Sequence, residues 1–399
     1  MDDTLLPITY RPIVLFSIGL WGWALDLFIL AKCGIDTNSI LQLNNEKHSP
    51  LYTPIFYLSG ILSLIVSLCL VSHYLYNPSP FNAIIPYILA LILLLWPSQF
   101  YKKERTRFIR MLKRIFTLNL RAPVFFSDII LADMLTSFSN VFGDLFIAVC
   151  VMVTGYPSTY FLDTTESIYY KDMVVPFIIS VPYLIRLRQC ISEYIETREQ
   201  RHLYNALKYA TSIPAIIFSA IQKKANMYIA ESGQVPNSWY LNEIHVFRFW
   251  VIFVFINSMY SFWWDVSMDW NLITFTKQQQ QQQPTIHFRK QLFFSQPVYY
   301  ALAIFIDFLL RITWSFKLCS HLLIRQLDAS IFLLELMEIF RRWLWVIFRL
   351  ENEWVKKVYS SLPSVDTLRL SRLDRKSPSG LLSPIVEEED PAPFSSSIE

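Results

Sequence analysis

Charge is scarce in this chain. Asp, Glu, Lys and Arg together make up 17% of its 399 residues, against about 25% in an average soluble domain. Hydrophobic residues reach 53% and mean hydropathy is positive, which excludes a soluble domain of useful size. The five cysteines (Cys33, Cys69, Cys150, Cys190, Cys319) are scattered through or beside apolar runs, with no CxxC pair. The six histidines (His48, His73, His202, His245, His287, His321) fall mostly in loops or at the ends of apolar runs, none at ligand spacing. Neither a metal centre nor a cofactor is expected from such a set. An acyl- or glycosyltransferase working at the membrane face needs a general base or a metal, so no enzyme is expected either. Asp265 and Asp269, with Val-Ser-Met between them, come nearest to a chelating pair. Their aromatic setting, SFWWDVSMDW, points instead to capping or gating at an interface. No Asn-x-Ser/Thr sequon occurs, and no nucleic-acid partner is expected. The first residues, MDDTLLPITY, are acidic and lack a basic n-region, so a cleavable signal peptide is not expected and the first apolar run reads as a signal-anchor.

What is present is a succession of apolar runs that approach or exceed the roughly 20 residues needed to cross a bilayer. They predict an all-α fold: a polytopic helical membrane protein of about nine transmembrane helices with one amphipathic interfacial helix. The chain divides into a short luminal N-terminus (1–11), scaffold spans (12–100), an interfacial helix (101–124), a six-span core (125–358) and a disordered cytosolic tail (359–399). In the interfacial segment YKKERTRFIRMLKRIFTLNLR, Phe108, Ile109, Leu112, Ile115 and Phe116 recur at helical spacing opposite a basic face. That pattern lies on an anionic leaflet rather than crossing it. The loop 271–296 holds six consecutive glutamines, Gln278–Gln283, and reads as a flexible connector without chemistry. Basic segments at 102–121, 186–201, 277–290 and the start of the tail fall on one side if nine spans are present. By the positive-inside rule that side is cytosolic, with Lys223 and Lys224 the exception.

The remaining charges are concentrated on the apolar rods. In the last run, which ends FRRWLWVIFRLENEW, Glu335, Glu338, Arg342, Trp345 and Arg349 recur at steps of three and four, a single polar stripe on a helix. One charge at the bilayer centre costs about 2.5–3.5 kcal/mol even on the lenient insertion scale, so the stripe faces protein, water or an anion. The run 125–154 carries Asp133, Ser137, Asn140 and Asp144 at helical spacing, with Thr136 alongside. The run 204–221 brings Asn205, Lys208, Tyr209 and Ser212, and the run 298–318 brings Tyr300, Asp307, Arg311 and Trp314. The apolar stretch 173–185 is short unless its helix continues through Arg186. Clustered arginines suit a tetrahedral oxyanion, because a planar guanidinium donates two parallel hydrogen bonds. The competing reading is a set of mutually neutralising structural ion pairs. Arg349, Glu351 and Glu353 are expected to form ion pairs that anchor the cytosolic end of the last helix.

The segments FSDIILADMLTSFSNVFGDL, RLRQCISEYIETRE, NALKYATS, SFWWDVSMDW, DFLLRITW and FRRWLWVIFRLENEW resemble, in order and spacing, those of the EXS domain family. That family includes retrovirus-receptor-type phosphate exporters and the fungal ER-retention-defective Golgi proteins, and the resemblance runs from about Trp21 to Val358. It implies an inorganic-phosphate transporter of the Golgi membrane whose substrate, a by-product of luminal glycosylation, is returned to the cytosol, supporting retention of glycosyltransferases and ER residents. It also implies residue roles: phosphate contact by Lys208, Tyr209, Arg311, Arg341 and Arg342; support from Asp133, Thr136, Asp265 and Glu338; and a gate at Trp314. Thr136 stands where relatives resembling this sequence have Asn, which shortens the reach of that donor. The larger exporters begin with a soluble SPX domain. Only a few residues precede the first run here, so the short Golgi-type form, without inositol-polyphosphate regulation, is expected. The alternative is a non-transporting sorting factor that binds glycosyltransferase tails through its cytosolic loops. Expected partners are inorganic phosphate, the lipid bilayer, glycosyltransferase cytosolic tails and a second copy of the chain, packed through the apolar runs 52–76 and 82–100.

Overall fold

The computed structural model describes residues 6–42, 50–75, 80–95, 101–155, 173–232, 242–276, 285–289, 291–313 and 328–361. Trp314, the glutamine run 278–283, the loop 156–172 and the tail beyond 361 lie outside the described residues. The first helix, α1 (Arg11–Lys32), has proline in its first turn and is apolar along nearly its whole length. It is followed by a single capped turn, α2 (Thr37–Ile40), with the Asp36 side chain accepting from the backbone of Asn38 and Ser39. Next come α3 (Tyr52–Leu75) and α4 (Ile84–Leu95). Their outer faces expose Leu64, Leu68, Val71, Ile88 and Leu91, a surface that water would disfavour and hydrocarbon accepts. The amphipathic segment forms α5 (Lys102–Ile115), ending within a residue of Phe116 as its apolar spacing predicts.

The run 125–154 is not one straight rod. It forms α6 (Phe126–Ser137) and α7 (Ser139–Thr154), bent by 62° at Phe138. Neither glycine nor proline lies at the break. The Phe138 ring there stacks on Phe16 at 5.2 Å and packs against α1 where Gly19 has no Cβ to obstruct it. This corrects the expectation of a continuous polar face. Asp133, Thr136 and Ser137 stay buried on α6, whereas Asn140 turns outward and is exposed. The second half ends at Gly155, whose φ of 72° supplies the left-handed turn that closes many helices.

The next helix, α8 (Val175–Thr197), does continue through Arg186, which makes it long enough to cross. It is followed by α9 (Gln200–Ser232) and α10 (Glu243–Trp264). The chain then widens into a π turn at Asp265–Asp269, a feature frequent at functional sites. A two-stranded antiparallel hairpin comes next, β1 (Ile273–Thr276) and β2 (Thr285–Phe288), in the register Ile273↔Phe288 to Thr276↔Thr285. Thus the loop read as a structureless connector contains ordered strands. Two helices complete the described chain, α11 (Pro297–Ile312) and α12 (Asp328–Ser361).

The protein is a helical membrane protein. Among the described helices, α1, α3 and the run Ile244–Asp269 are long and apolar enough to cross a membrane, and the bent pair α6–α7 makes a fourth if it forms one span. Several others carry buried charge, which lowers their hydropathy. Residues up to Val355 form one unit, and a second begins at Lys356. The main core joins Leu30 of α1, Ile130 of α6, Trp270 after the π turn, Tyr300 of α11, and Trp345, Val346 and Leu350 of α12. It holds in register the polar faces described next.

Candidate functional site: a buried cluster of arginines and carboxylates

Asp265 is the hub. Its side chain is fully buried, and it receives Lys208 Nζ of α9 on Oδ1 at 3.2 Å. Its Oδ2 receives Arg311 of α11, and Arg341 Nη1 of α12 lies 3.5 Å from the same oxygen. The π turn carries Asp269 onto the same side, where its Oδ2 lies 3.5 Å from Lys208 Nζ and accepts from Trp345 Nε1 at 3.2 Å. The two aspartates do not cap a helix at a wet interface. They are interior counter-charges, and Trp264 beside them contributes its ring face to Lys208. Arg311 pairs with Asp307 one turn earlier at 3.2 Å, as i, i+4 spacing allows, but it reaches Asp265 as well. Desolvating an ion costs several kcal/mol, so such a cluster survives only when each charge meets an opposite charge or a hydrogen bond.

A second group joins α6, α8 and α9. Asp133 Oδ1 accepts from Tyr209 Oη at 2.5 Å and from Arg186 Nε at 2.8 Å, and Arg186 Nε also reaches Tyr209 Oη at 3.1 Å. Arg186 Nη1 donates to Gln189 Oε1 at 2.6 Å. Gln189 in turn donates to the backbone of Asp128, whose carboxylate takes both a 2.8 Å and a 2.6 Å bond from Arg114 of α5. Arg186 was not among the expected site residues. Its signal was present, a charge in the middle of what becomes an uninterrupted helix, but the partner that fixes it lies 53 positions earlier.

The third group belongs to α12. Glu338 receives Arg341 through both carboxylate oxygens, at 2.9 and 2.5 Å. Ser137 Oγ of α6 donates to Glu338 Oε1 at 2.9 Å and accepts from Arg342 Nε at 2.8 Å. Thr136 Oγ1 accepts from Arg342 Nη2 at 3.1 Å. Arg342 lies over the Trp345 ring, 4.7 Å from its centroid. Its bonds are to hydroxyls, no carboxylate pairs with it among the described residues, and its buried Nη1 has no hydrogen-bond partner. Of the residues expected to contact substrate, Lys208, Arg311 and Arg341 therefore share carboxylates, Tyr209 is bonded to Asp133, and Arg342 retains open donors.

A cavity of about 290 Å³ opens against Asp133, Arg186, Asn205, Asp269 and Arg349. Arg349 is held there by Glu353 at 2.6 Å, with Asp269 Oδ1 at 3.8 Å. Glu351 takes a different partner: Arg289, just after the hairpin, donates to both its oxygens at 2.6 Å, and Tyr300 Oη adds a bond at 2.9 Å. The segment read as free of chemistry is thus tied to the last helix by a buried ion pair.

These features define a multi-pass helical membrane protein with a buried cluster of charged side chains that joins α6, α8, α9, α11 and α12. The chain belongs to the EXS family, whose model matches residues 6–355. It is 31% identical to Protein ERD1 homolog 1 of Schizosaccharomyces pombe over 367 residues, covering 88% of this chain and 92% of that one. It is 28% identical to the Xenotropic and polytropic retrovirus receptor 1 homolog of Xenopus laevis, and 27% identical to the human Solute carrier family 53 member 1. In each case 85% of this chain is aligned, yet it spans only 48% of those two relatives.

Proposed function

We propose that the protein moves inorganic phosphate across the Golgi membrane, from lumen to cytosol, along the buried charge cluster between α6, α9, α11 and α12. The observation that carries this reading is Arg342: a buried guanidinium with hydroxyl partners and, among the described residues, no carboxylate and no partner for Nη1. A guanidinium with spare donors fits an oxyanion, whereas a purely structural ion-pair network leaves no such donor. Lys208, Arg311 and Arg341 lie around the adjoining carboxylates. They can exchange part of that bonding for phosphate oxygens and so hand the anion along. Asp133, Asp265 and Glu338 hold the cations and keep binding weak enough for release. Thr136 holds one edge of the Arg342 guanidinium. Trp314, the gate implied by the family resemblance, falls outside the described residues.

The compartment and direction rest on the resemblance to the Golgi-type EXS proteins, and so does the support of glycosyltransferase retention; the nine-span division into scaffold, interfacial helix and transport core rests on the apolar runs and loop charges of the sequence. The test is reconstitution in liposomes loaded with labelled phosphate. The wild type is expected to release label, and Arg342→Glu to abolish release while keeping the wild-type elution profile in detergent. Unchanged flux in that variant would remove Arg342 from the pathway. A well-folded wild type without flux would favour the sorting reading, in which cytosolic loops bind glycosyltransferase tails.

A further inference from the structure

We propose that α5 and the turn after it form a docking surface for anionic lipid headgroups, joined through Arg114 to the buried charge cluster. The joint to the cluster matters only on the phosphate reading above, whereas the docking surface stands without it. α5 starts at a bilayer face. The Tyr101 ring stacks on Tyr57 near the start of α3, with centroids 6.1 Å apart. Arg105 Nη1 donates to the Leu93 carbonyl in the last turn of α4 at 3.2 Å. Because α3 is long and apolar enough to cross a membrane, the end it shares with α5 lies at headgroup level.

The apolar face of α5 is turned to protein. Leu112 and Ile115 pack with Ala132 of α6 and Ile185 of α8. At about 100° per residue, Lys102, Lys103, Arg110 and Lys113 fall within an arc of about 100° on the other side of the helix. All four are exposed, and none joins an ion pair among the described residues. Glu104 is the one acid in the segment 101–121. The turn that follows is fastened by its backbone: Arg188 Nη1 donates to the Asn119 carbonyl at 3.1 Å, and Ser192 Oγ to that of Leu120 at 2.7 Å. Its apolar side chains are left outward, with Phe116 55%, Leu118 90% and Leu120 42% exposed. A leaflet accepts both features, acyl chains taking the apolar groups and anionic headgroups the cations. A helix facing water accounts for the cations but leaves Leu118 without cover.

The same segment is tied to the cluster by a short chain of bonds. Arg114 of α5 donates to both oxygens of Asp128 on α6, at 2.8 and 2.6 Å. The Asp128 carbonyl accepts from Gln189 Nε2 of α8, and Gln189 Oε1 accepts from Arg186, the partner of Asp133. Headgroups that hold α5 against the leaflet therefore act, through one ion pair, on the place where α6 meets α8. Each cation near an anionic leaflet strengthens its attraction by about fivefold, so membrane composition has leverage on that contact.

Binding is measured in detergent, by the anisotropy of a fluorescent phosphatidylserine in mixed micelles. The wild type is expected to bind it, less tightly as salt rises. A variant with Lys102, Lys103, Arg110 and Lys113 all changed to glutamine is expected to bind at least about tenfold more weakly. Neither inorganic phosphate nor soluble glycerophosphoserine is expected to displace the lipid. Equal binding by wild type and variant overturns the surface, and displacement by either soluble anion overturns its assignment to lipid. Transport is measured as efflux of labelled phosphate from proteoliposomes. Wild-type efflux is expected to rise by at least about fivefold from pure phosphatidylcholine to membranes that also contain phosphatidylserine. The quadruple variant is expected to keep the lower rate in both. Arg114→Gln, which cuts the joint and spares the cationic face, is expected to bind lipid as the wild type does while its efflux ignores composition. Efflux that still responds to phosphatidylserine in the quadruple variant, which changes only exposed side chains, overturns the coupling whether or not Arg114→Gln folds. Lipid binding without efflux in either membrane supports the surface and counts against the phosphate reading.

Discussion

Lys208 and Asp265 are 57 residues apart in the chain, yet their charged groups meet at 3.2 Å with side chains only 7% and 0% exposed. The same carboxylate serves Arg311 and Arg341. Asp265→Asn keeps the shape but removes the charge that three cations share. Removing one partner of a buried pair costs about 3–5 kcal/mol, and a large drop in thermal unfolding temperature in detergent is expected. Glu353→Gln is the control. Glu353 is 27% exposed and Arg349 retains Asp269, so a cost below about 1 kcal/mol is expected. Equal shifts in the two variants would show that Asp265 is no hub.

Arg342 is predicted to behave in the opposite way. Its truncation leaves no carboxylate stranded, because Ser137 still donates to Glu338 and Thr136 to the Asp133 carbonyl. What is lost is the contact with the Trp345 face and two hydrogen bonds. Arg342→Ala is therefore expected to cost only about 1–3 kcal/mol while abolishing phosphate flux. Arg342→Lys, a point charge without the planar fork, is expected to recover stability but only part of the flux. A variant as unstable as Asp265→Asn would argue that Arg342 is mainly structural.

Much of this arrangement was legible in the sequence because buried charge on an apolar helix has so few innocent explanations. Lys208, Arg311, Arg341 and Arg342 stand out by their surroundings alone, and the helical spacing of Glu335, Glu338, Arg342, Trp345 and Arg349 identifies one face. What was not legible depends on chain direction and on distant partners. The turn at Phe138 has no proline or glycine to announce it. It follows from a ring packed against α1 at Gly19, and it removes Asn140 from the polar face. The inward placement of Asp265 and Asp269 depends on a π turn, which has no reliable sequence mark. The Arg289–Glu351 pair joins a hairpin to a helix across 62 positions, and a polyglutamine tract next to β1 masked the strands.

Asp133, Tyr209 and Arg186 provide a graded test of the second group. Tyr209→Phe removes a hydroxyl that donates to Asp133 at 2.5 Å and accepts from Arg186 at 3.1 Å. The Arg186–Asp133 pair survives, so a loss of about 1.5–3 kcal/mol is expected, the range for a hydrogen bond to a charged group. Asp133→Asn leaves Arg186 buried without its carboxylate, and a loss of about 3–5 kcal/mol is expected. Chemical or thermal unfolding of both variants should rank Asp133→Asn as the less stable. The reverse order would mean that Tyr209, not the ion pair, holds α8 and α9 to α6.

The contact between α1 and α12 sets how closely the last helix approaches the rest, and Gly22 controls it. A Cβ at Gly22 would lie 1.7 Å from the Trp343 ring, far inside any permitted contact. Trp343 follows directly after Arg341 and Arg342, so a ring displaced by Gly22→Ala moves the helix that carries both arginines. Overpacking of this kind costs about 1–3 kcal/mol, and lowered flux is expected together with lowered stability. The cause can be separated from a general intolerance of α1 to substitution by relieving the ring itself. Trp343→Phe vacates the atoms that the new methyl meets, so Gly22→Ala combined with Trp343→Phe is expected to be more stable than the sum of the single effects by at least about 1 kcal/mol. Additive losses in that double-mutant cycle would mean that Gly22 is required for a reason other than the approach of Trp343.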